Sequence, residues 1–569
     1  MVIIGIHKGH DSSAAIVKNG EIIADVQEER FSRIKHSGNA PLKAIEFCLK
    51  KAGIDNINEV DYVSYPWENT PGDVNAIFGL NGTQNKGIKF AKQLAKSFFR
   101  IAPDTNGLKL PVYYPNYKLT DKTKFITNNH HLAHAASAYF TRKSNDKCLI
   151  FTLDGSGDNI CTAIWIGEGN NIKLLKSYSR EAAIGWAYSV VTEGLHWIHG
   201  DGEGKTMGLA PYGNASRCRN VLDKYFPVFD EDKLVKPSQL GKDYYWRESG
   251  STQFHFDEAK EVETLILKYG REDIAAEAQR KLEEAVMNLV FGWAKKTGIK
   301  KVAFSGGVML NVKLNQRIWN NRGSLIEEQH VYPNPGDSGL AVGAALLEYY
   351  KHHDFKGCDF NNLYLGPEYT NEEIESILKI RKCKYAFLEN PARKAAELLA
   401  QNKIVAWFQG RMESGPRALG NRSILMSPLK AENKDIINAS VKFREAFRPF
   451  CPSLLFESRE DYLVDCRDEF FMITSFDIKN EKRDSIPAVV HVDGTVRPQM
   501  VQKETNPLFW ELINEFGKLT GESIVLNSSF NVMGEPIINN PKEAIRCFFD
   551  SGIDALFIGN FYLTKPELK

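Results

Sequence analysis

His130 and His134 lie four residues apart in TNNHHLAHAASAYF, a stretch of small residues that predicts a helix. They project from one face at a spacing able to grip a single metal ion. His131 occupies the place where the H-E-x-x-H metalloprotease motif needs its glutamate, so the protease reading fails. Asp154 in LDGSGD and Asp337 in NPGDSG sit in glycine turns at strand or helix ends. Carboxylates in such turns meet a metal or a phosphate, although each alone also serves to stabilise its turn. Together the four side chains are candidate metal ligands, and two histidines with carboxylates suit Fe(II), Zn(II) or Mn(II).

Two further stretches predict nucleotide contacts. SGGVMLN (305–311) follows an apolar run, and glycine there lets backbone N–H groups approach phosphates closely. It is not a P-loop, because no G-K-[ST] follows. HGDGEGKTMGLAPYG (199–213) is equally glycine-dense and offers Glu203 and Lys205 as polar candidates. The densest anion chemistry comes late in the chain. GRMESGPRALGNRS sets Arg411, Arg417 and Arg422 among Gly and Pro, which makes this a loop and not a solvated helix face. KFREAFRPF adds Lys442, Arg444 and Arg448, HVDGTVRPQ adds Arg497, and LNSSFN supplies Asn527, Ser528, Ser529 and Asn531. Guanidinium groups grip phosphates bidentately and hydroxyls fill the remaining acceptor positions. The alternative is that these arginines bridge loop carbonyls or acidic partners.

These residues need elements to position them. VIIGI (2–6) and the run 14–29 read as two strands of a hairpin closed by Asn19-Gly20, with a helix over 42–53. Residues 65–120 read as an irregular insertion carrying one basic helix, KGIKFAKQLAKSFF. Residues 147–167 repeat the strand–turn–strand pattern of the opening, and 274–298 carry the apolar stripe of an amphipathic helix stopped by Gly298. A strand, the Gly-Gly loop and a glycine turn opening a helix then follow. Repeated units of this kind are the order of the two-lobed actin-like and sugar-kinase architecture. The polar, Gly/Pro-bearing stretch 351–370 marks a boundary, giving an expected division into 1–352 and 353–569.

Composition sets the outer limits. Across 569 residues, 72 basic side chains face 71 acidic ones, so the net charge of +1 gives no case for nucleic acid or an anionic membrane. Any bound anion must be held by a local cluster. Nine scattered cysteines without a C-x-x-C pair fit reduced thiols, and no run approaches a spanning helix, so a cytoplasmic location is expected.

At this point the motifs converge. HDSSAA, EERFSRIKH, HHLAHAASAY, LDGSGD, KTMGLAPYG, SGGVMLN, NPGDSG, ESGPRALGNRS, KFREAFRPF and LNSSFN run from residue 10 to 531. In these the chain resembles the O-carbamoyltransferases of antibiotic and nodulation-factor biosynthesis, the NodU/CmcH type. The resemblance implies a mixed α/β protein, with an actin-like N-terminal domain akin to tRNA threonylcarbamoyl-transfer proteins and a YrdC-like C-terminal domain. It implies that carbamoyl phosphate and ATP, with Mg2+, give carbamoyl-adenylate in the C-terminal domain. The carbamoyl group then passes to a hydroxyl of a small-molecule acceptor in the N-terminal domain. His130, His134, Asp154 and Asp337 would be associated with iron or a similar divalent metal, and Gly306, Gly307 and Asn311 with the nucleotide. Lys442, Arg444, Arg448, Arg497, Ser528, Ser529, Asn531 and Arg417 would hold the anions. His10 becomes the candidate base and Lys35 orients donor or acceptor, while His7 stays structural and Asp11, Ser12 and Ser13 shape the turn. A homodimer is allowed for. The rivals are a tRNA threonylcarbamoyladenosine enzyme, which calls for a basic face, an actin-like kinase, which leaves the C-terminal arginines unused, and a nucleotide-binding regulator with a degenerate site.

Overall fold

The computed structural model describes residues 1–80, 117–240 and 256–565. The basic helix expected over 86–99 lies outside the described residues. The opening apolar runs form three strands, β1 (Val2–His7), β2 (Ser13–Lys18) and β3 (Glu21–Gln27), in an antiparallel meander. The expected single hairpin is therefore corrected. Asn19-Gly20, both with positive φ, closes β2 onto β3 and splits the run 14–29, whereas residues 8–12 close β1 onto β2. Parallel strands β4 (Tyr62–Tyr65) and β5 (Lys124–Thr127) complete the order β3-β2-β1-β4-β5.

The second sheet repeats this topology. β6 (Cys148–Gly157), β7 (Ile160–Glu168) and β8 (Asn171–Tyr178) form the meander, and β9 (Lys301–Ser305) and β10 (Glu328–Val331) add in parallel beside β6. Two copies of one five-stranded topology are the two lobes of the actin-like and sugar-kinase fold. The strand–turn–strand repeat in the sequence is the trace of that duplication.

Between the lobes run α1 (His130–Tyr139), entered from β5, and α2 (Leu340–Tyr349), entered from β10. Their small residues allow backbone-to-backbone approach. A Cβ on Gly343 would stand 2.0 Å from the Ala133 carbonyl oxygen, and one on Gly5 would stand 1.8 Å from that of Ala341. Any side chain at Gly343 would push α1 away and carry the two histidines with it. The long amphipathic helix α3 (Arg271–Thr297) covers the second sheet through Leu282, Val286, Leu289 and Trp293, and it ends at Gly298 in the left-handed conformation as expected. Another short helix, α4 (Val312–Asn320), leaves the Gly-Gly loop.

The third sheet has eight strands, β11 (Ala386–Phe387), β12 (Val405–Phe408), β13 (Arg422–Met426), β14 (Cys451–Leu455), β15 (Gln499–Val501), β16 (Ile524–Ser529), β17 (Ala555–Ile558) and β18 (Phe561–Thr564). Their order is β11-β18-β17-β12-β13-β16-β14-β15, mixed parallel and antiparallel, which makes the whole protein mixed α/β. Polar contacts stitch this sheet to the lobes. Arg30 Nη2 donates to the Gly415 carbonyl at 2.8 Å, Asn315 Nδ2 to that of Ile473 at 2.7 Å, and Lys205 pairs with Glu445 at 2.9 Å. No helix among the described residues is long and apolar enough to cross a membrane.

Candidate functional site

The first centre lies where α1 and α2 begin. Asn129 caps α1 through Leu132 N–H at 3.1 Å, so His130 and His134 occupy its first two turns. His130 Nε2 lies 3.4 Å from Asp154 Oδ2 and 3.7 Å from Asp337 Oδ1. His134 Nε2 lies 3.5 Å from Asp337 Oδ1 and 3.9 Å from Asp154 Oδ2. The four ligand atoms all fall within 4.8 Å of one another. His134 Nδ1 is held by Ser305 Oγ at 3.1 Å, which leaves a buried Nε2 without a hydrogen-bond partner. A buried polar atom left unmade is costly, and a divalent ion coordinated by the four groups would satisfy it, so the donor set fits a metal. The Gly307 N–H donates to Asp154 Oδ1 at 2.9 Å and turns Oδ2 toward the histidines. Gly157 is required by packing, since a Cβ there would meet His130 Cδ2 at 2.0 Å.

Electrostatics sort the buried groups. Burial lowers His134 to about 4 and His7 and His131 to about 3, keeping all three neutral as metal ligation or hydrogen bonding requires. Burial, with the Asp154 charge beside it, lifts Asp337 to about 7. Burial opposes the Asp154 charge too, but the His130 hydrogen bond and the neighbouring histidines hold it below the usual carboxylate range. His7 has both ring nitrogens engaged, with Nδ1 taking the Trp67 indole N–H at 3.3 Å and Nε2 on the His10 carbonyl at 3.0 Å. His131 is spent on Thr152 and the Ile160 carbonyl.

Beside this cluster, His10 is half exposed, at 48 %. Its Nε2 lies 3.3 Å from Asp11 Oδ2, and its ring stacks on His36 at 4.8 Å and 12°. Asp11 Oδ1 contacts His36 Nδ1 at 2.7 Å, His36 Nε2 faces Asp201 Oδ1 at 3.3 Å, and Lys35 pairs with Asp201. Burial disfavours the His36 charge, but the two carboxylates outweigh it and raise His36 to about 10. Asp201, hydrogen-bonded by His36 and Lys35, is held well below the usual range. Neither His36 nor Asp201 stood out in the sequence as a site residue.

The glycine stretches are fixed by close backbone packing and local hydrogen bonds. Gly306 has φ +100°, and a Cβ there would stand 2.2 Å from the Leu153 carbonyl oxygen. Asn311 caps α4 through Leu314 N–H at 2.9 Å and exchanges hydrogen bonds with Gln279. Glu203 accepts from Ser189 Oγ at 2.7 Å and Gly200 N–H at 2.9 Å, and Lys205 reaches across to Glu445.

The second centre lies on the third sheet. Lys442 is buried, and its ammonium donates to the Ser529 carbonyl and Oγ and to Asn531 O and Oδ1, the last at 2.8 Å. Arg444 lies over the Phe450 ring at 4.2 Å, and Arg497 Nε and Nη2 point at Cys451 Sγ at 3.0 and 2.6 Å. Arg448 has only a loose pair with Glu445, at 3.7 Å. Burial, then repulsion among these cations, lowers Arg417 and Arg444 to about 9 and Lys442 well below its usual value. Five cations thus share one place with little negative charge, the electrostatic signature of an anion site. Ser528, paired with Ile424, faces the opposite side of the strand from Ser529. Arg411 and Arg422 do not join the cluster. Arg411 donates to the carbonyls of Ile23, Leu365 and Gly366. Arg422 donates to those of Gln409, Asn421, Pro367 and Gly410 while stacked on Phe408 at 3.7 Å. For these two the carbonyl-bridging alternative is the correct one.

Two family descriptions match this chain, carbamoyltransferase N-terminus over residues 2–346 and carbamoyltransferase C-terminus over 396–565. The chain is 33% identical to nodulation protein NolNO of Sinorhizobium fredii, covering 98% of this chain and 79% of that protein. It is 27% identical to nodulation protein U of the same organism, covering 96% of each, and 33% identical to the uncharacterised protein sll1178 of Synechocystis, covering 98% and 95%. Among solved structures it is similar to full-length HypF in its phosphate- and nucleotide-bound form, at 16% identity and TM-score 0.31 over 62% of this chain and 46% of that one. It is also similar to the ROK hexokinase of Thermus thermophilus, at 13% identity and TM-score 0.29 over 62% and 100%. With both halves matched and two chemically distinct centres in place, the chain belongs to the carbamoyltransferase family and is an enzyme of carbamoyl transfer.

Proposed function

We propose that this enzyme is an ATP-dependent O-carbamoyltransferase whose residues 353–569 activate the carbamoyl group and whose residues 1–352 transfer it. The observation that carries the reading is the under-compensated cation cluster of Lys442, Arg417, Arg444, Arg448 and Arg497 beside Ser529 and Asn531. Water cleaves carbamoyl phosphate there to carbamate and phosphate. A carbamate oxygen then attacks the α-phosphorus of Mg2+-bound ATP, forming carbamoyl-adenylate and expelling pyrophosphate. The cations stabilise the charge that accumulates as the phosphorus expands its coordination.

In the transfer step His10 accepts the proton of the acceptor hydroxyl as its oxygen bonds to the carbamoyl carbon, and AMP leaves with the electron pair. Asp11 orients the His10 ring, and Lys35, paired with Asp201, orients the donor or acceptor. His130, His134, Asp154 and Asp337 would hold iron or another divalent metal, which supplies Lewis-acid polarisation of the carbamoyl carbonyl when bound. The nucleotide lies along Gly306, Gly307 and Asn311, with Glu203 and Lys205 nearby. The acceptor class is a hydroxylated natural product or sugar. Incubation with ATP and carbamoyl phosphate, without acceptor, is expected to release pyrophosphate and phosphate together. Absence of pyrophosphate both with and without acceptors would sink the adenylate route.

A further inference from the structure

His36 ends the EERFSRIKH stretch and stands beside the candidate base, with no part so far in the chemistry of either centre. Its backbone lies in the left-handed region, at φ 54°, and so does that of Asp11, at φ 61°. Non-glycine residues keep that conformation only where their surroundings fix it, and strain of this kind gathers at functional sites. Here the fixing contacts are explicit. Glu29 Oε2 accepts the His36 N–H at 2.8 Å, and Arg30 Nη1 pins Glu29 Oε1 at 2.8 Å. The Ser12 N–H donates to the Ser37 carbonyl at 3.0 Å, which clamps the turn of His10 and Asp11 against this stretch. A Cβ on Gly200 would stand 3.1 Å from the His10 ring, so the loop that brings Asp201 also limits the swing of His10.

Hydrogen-bond geometry sets the charge of His36. Its Nδ1 faces Asp11 and its Nε2 faces Asp201, and ionised carboxylates only accept. Both ring nitrogens therefore carry hydrogens, and the ring is an imidazolium. Burial opposes that charge, and the two carboxylates override it. Asp11 is thereby shared. Its Oδ1 goes to His36 and its Oδ2 to the Nε2–H of His10, which leaves the lone pair on His10 Nδ1. The imidazolium lies nearly flat against His10, with centroids 4.8 Å apart and planes 12° from parallel. A proton arriving on His10 would set two cations face to face. The neighbouring groups are already committed: Lys35 is paired with Asp201, and His7 Nε2 holds the His10 carbonyl and faces Asp337 at 3.7 Å. Without His36, the Asp11 and Asp201 charges would act uncompensated and draw a proton onto His10, and a protonated histidine cannot serve as a base.

We propose that His36 is a positioning residue of the transfer step: a fixed imidazolium that anchors Asp11, sets the His10 tautomer and keeps the His10 ring unprotonated at neutral pH. This rests on the reading of His10 as the base. Two unit charges at this separation repel by an amount worth roughly 0.6 pH unit in bulk water and roughly 2.5 at an effective dielectric of ~20. For a half-exposed ring the expected effect is about one unit, or about tenfold in protonation.

Carbethoxylation of the full-length protein with diethyl pyrocarbonate tests this without turnover or acceptor, because only an unprotonated imidazole nitrogen reacts. Tryptic peptides 9–18 and 36–43 report His10 and His36 separately. In the unmodified protein at pH 6, His10 is expected to react at least tenfold faster than His36. In His36→Gln the ratio of the His10 rates at pH 6 and pH 9 should fall five- to tenfold; the ratio cancels any change in access. His36→Arg, which keeps a cation beside Asp11, should bring the ratio back to within about twofold of the unmodified value. Near-UV circular dichroism checks that the variants keep their fold. An unchanged ratio in His36→Gln, a ratio in His36→Arg as low as in His36→Gln, or His36 labelled as fast as His10 would overturn the proposal. A shifted ratio together with full transfer by His10→Asn would count against His10 as the base and leave the coupling of the two rings standing.

Discussion

Arg417→Met separates the anion-site reading from a structural one by the sign of its effect on stability. Burial, with repulsion from Arg497 and Arg448, lowers Arg417 from 12.5 to about 9. At ~1.4 kcal/mol per pH unit, that drop corresponds to an upper bound of ~5 kcal/mol for carrying the charge in the folded protein. Relaxation and water reduce this by a factor of two or more, and losing the guanidinium packing takes away roughly a further 1 kcal/mol. The variant without ligand should therefore match the unmodified protein or exceed it by ~1–2 kcal/mol, seen as an equal or higher urea midpoint. The response to ligand should run the other way. An anion bound at a hundred times its Kd stabilises the folded state by ~2.7 kcal/mol. Carbamoyl phosphate or pyrophosphate should raise the midpoint of the unmodified protein strongly and that of Arg417→Met little, with activity falling at least a hundredfold. Denaturation midpoints with and without each anion give both numbers. A variant destabilised by several kcal/mol that still gains stability from carbamoyl phosphate would show that Arg417 is a structural bridge, as Arg411 and Arg422 are.

His134→Ala should reduce bound divalent metal to below about a tenth of that in the unmodified protein, measured by plasma mass spectrometry, since the three remaining groups lose a buried ligand nitrogen that has no other partner; equal metal content would displace the metal from this cluster. Gly157→Ala should do the same by steric means, because its Cβ would stand 2.0 Å from the His130 ring, and full metal content with full activity would contradict that packing. His36 is raised to about 10 in the folded state, so the stability it adds is complete below its unfolded value of ~6.5 and disappears as pH climbs through about 10. Urea midpoints measured from pH 6.5 to 10.5 should fall less steeply in His36→Gln than in the unmodified protein, and parallel curves would refute the coupling to Asp11 and Asp201. His10→Asn should leave pyrophosphate release intact while transfer to acceptor falls at least a hundredfold; retained transfer would remove His10 as the base.

The lobes were legible because their signals are local. Apolar runs with small-residue turns mark the meanders, and the i, i+4 histidines on a small-residue helix place His130 and His134 on one face. The split of 14–29 was missed because a run of apolar residues hides its own turn until pairing partners are known. Arg411, Arg417 and Arg422 look alike in a Gly/Pro-bearing loop, and only the tertiary structure shows that two of them face carbonyls and one faces other cations. His36 and Asp201 meet across 165 residues of sequence. Contacts of that range leave no periodic trace in a single chain.

The central claim is that one polypeptide activates carbamate on a nucleotide at the Lys442–Arg497 cluster before transferring it at His10. Rapid quench of the enzyme mixed with ATP and isotopically labelled carbamoyl phosphate, without acceptor, tests this directly by mass spectrometry. Labelled carbamoyl-AMP should accumulate to about the concentration of enzyme, matched by pyrophosphate, and should be absent in Arg417→Met. Efficient carbamoylation of an acceptor with neither carbamoyl-AMP nor pyrophosphate ever formed would contradict the account.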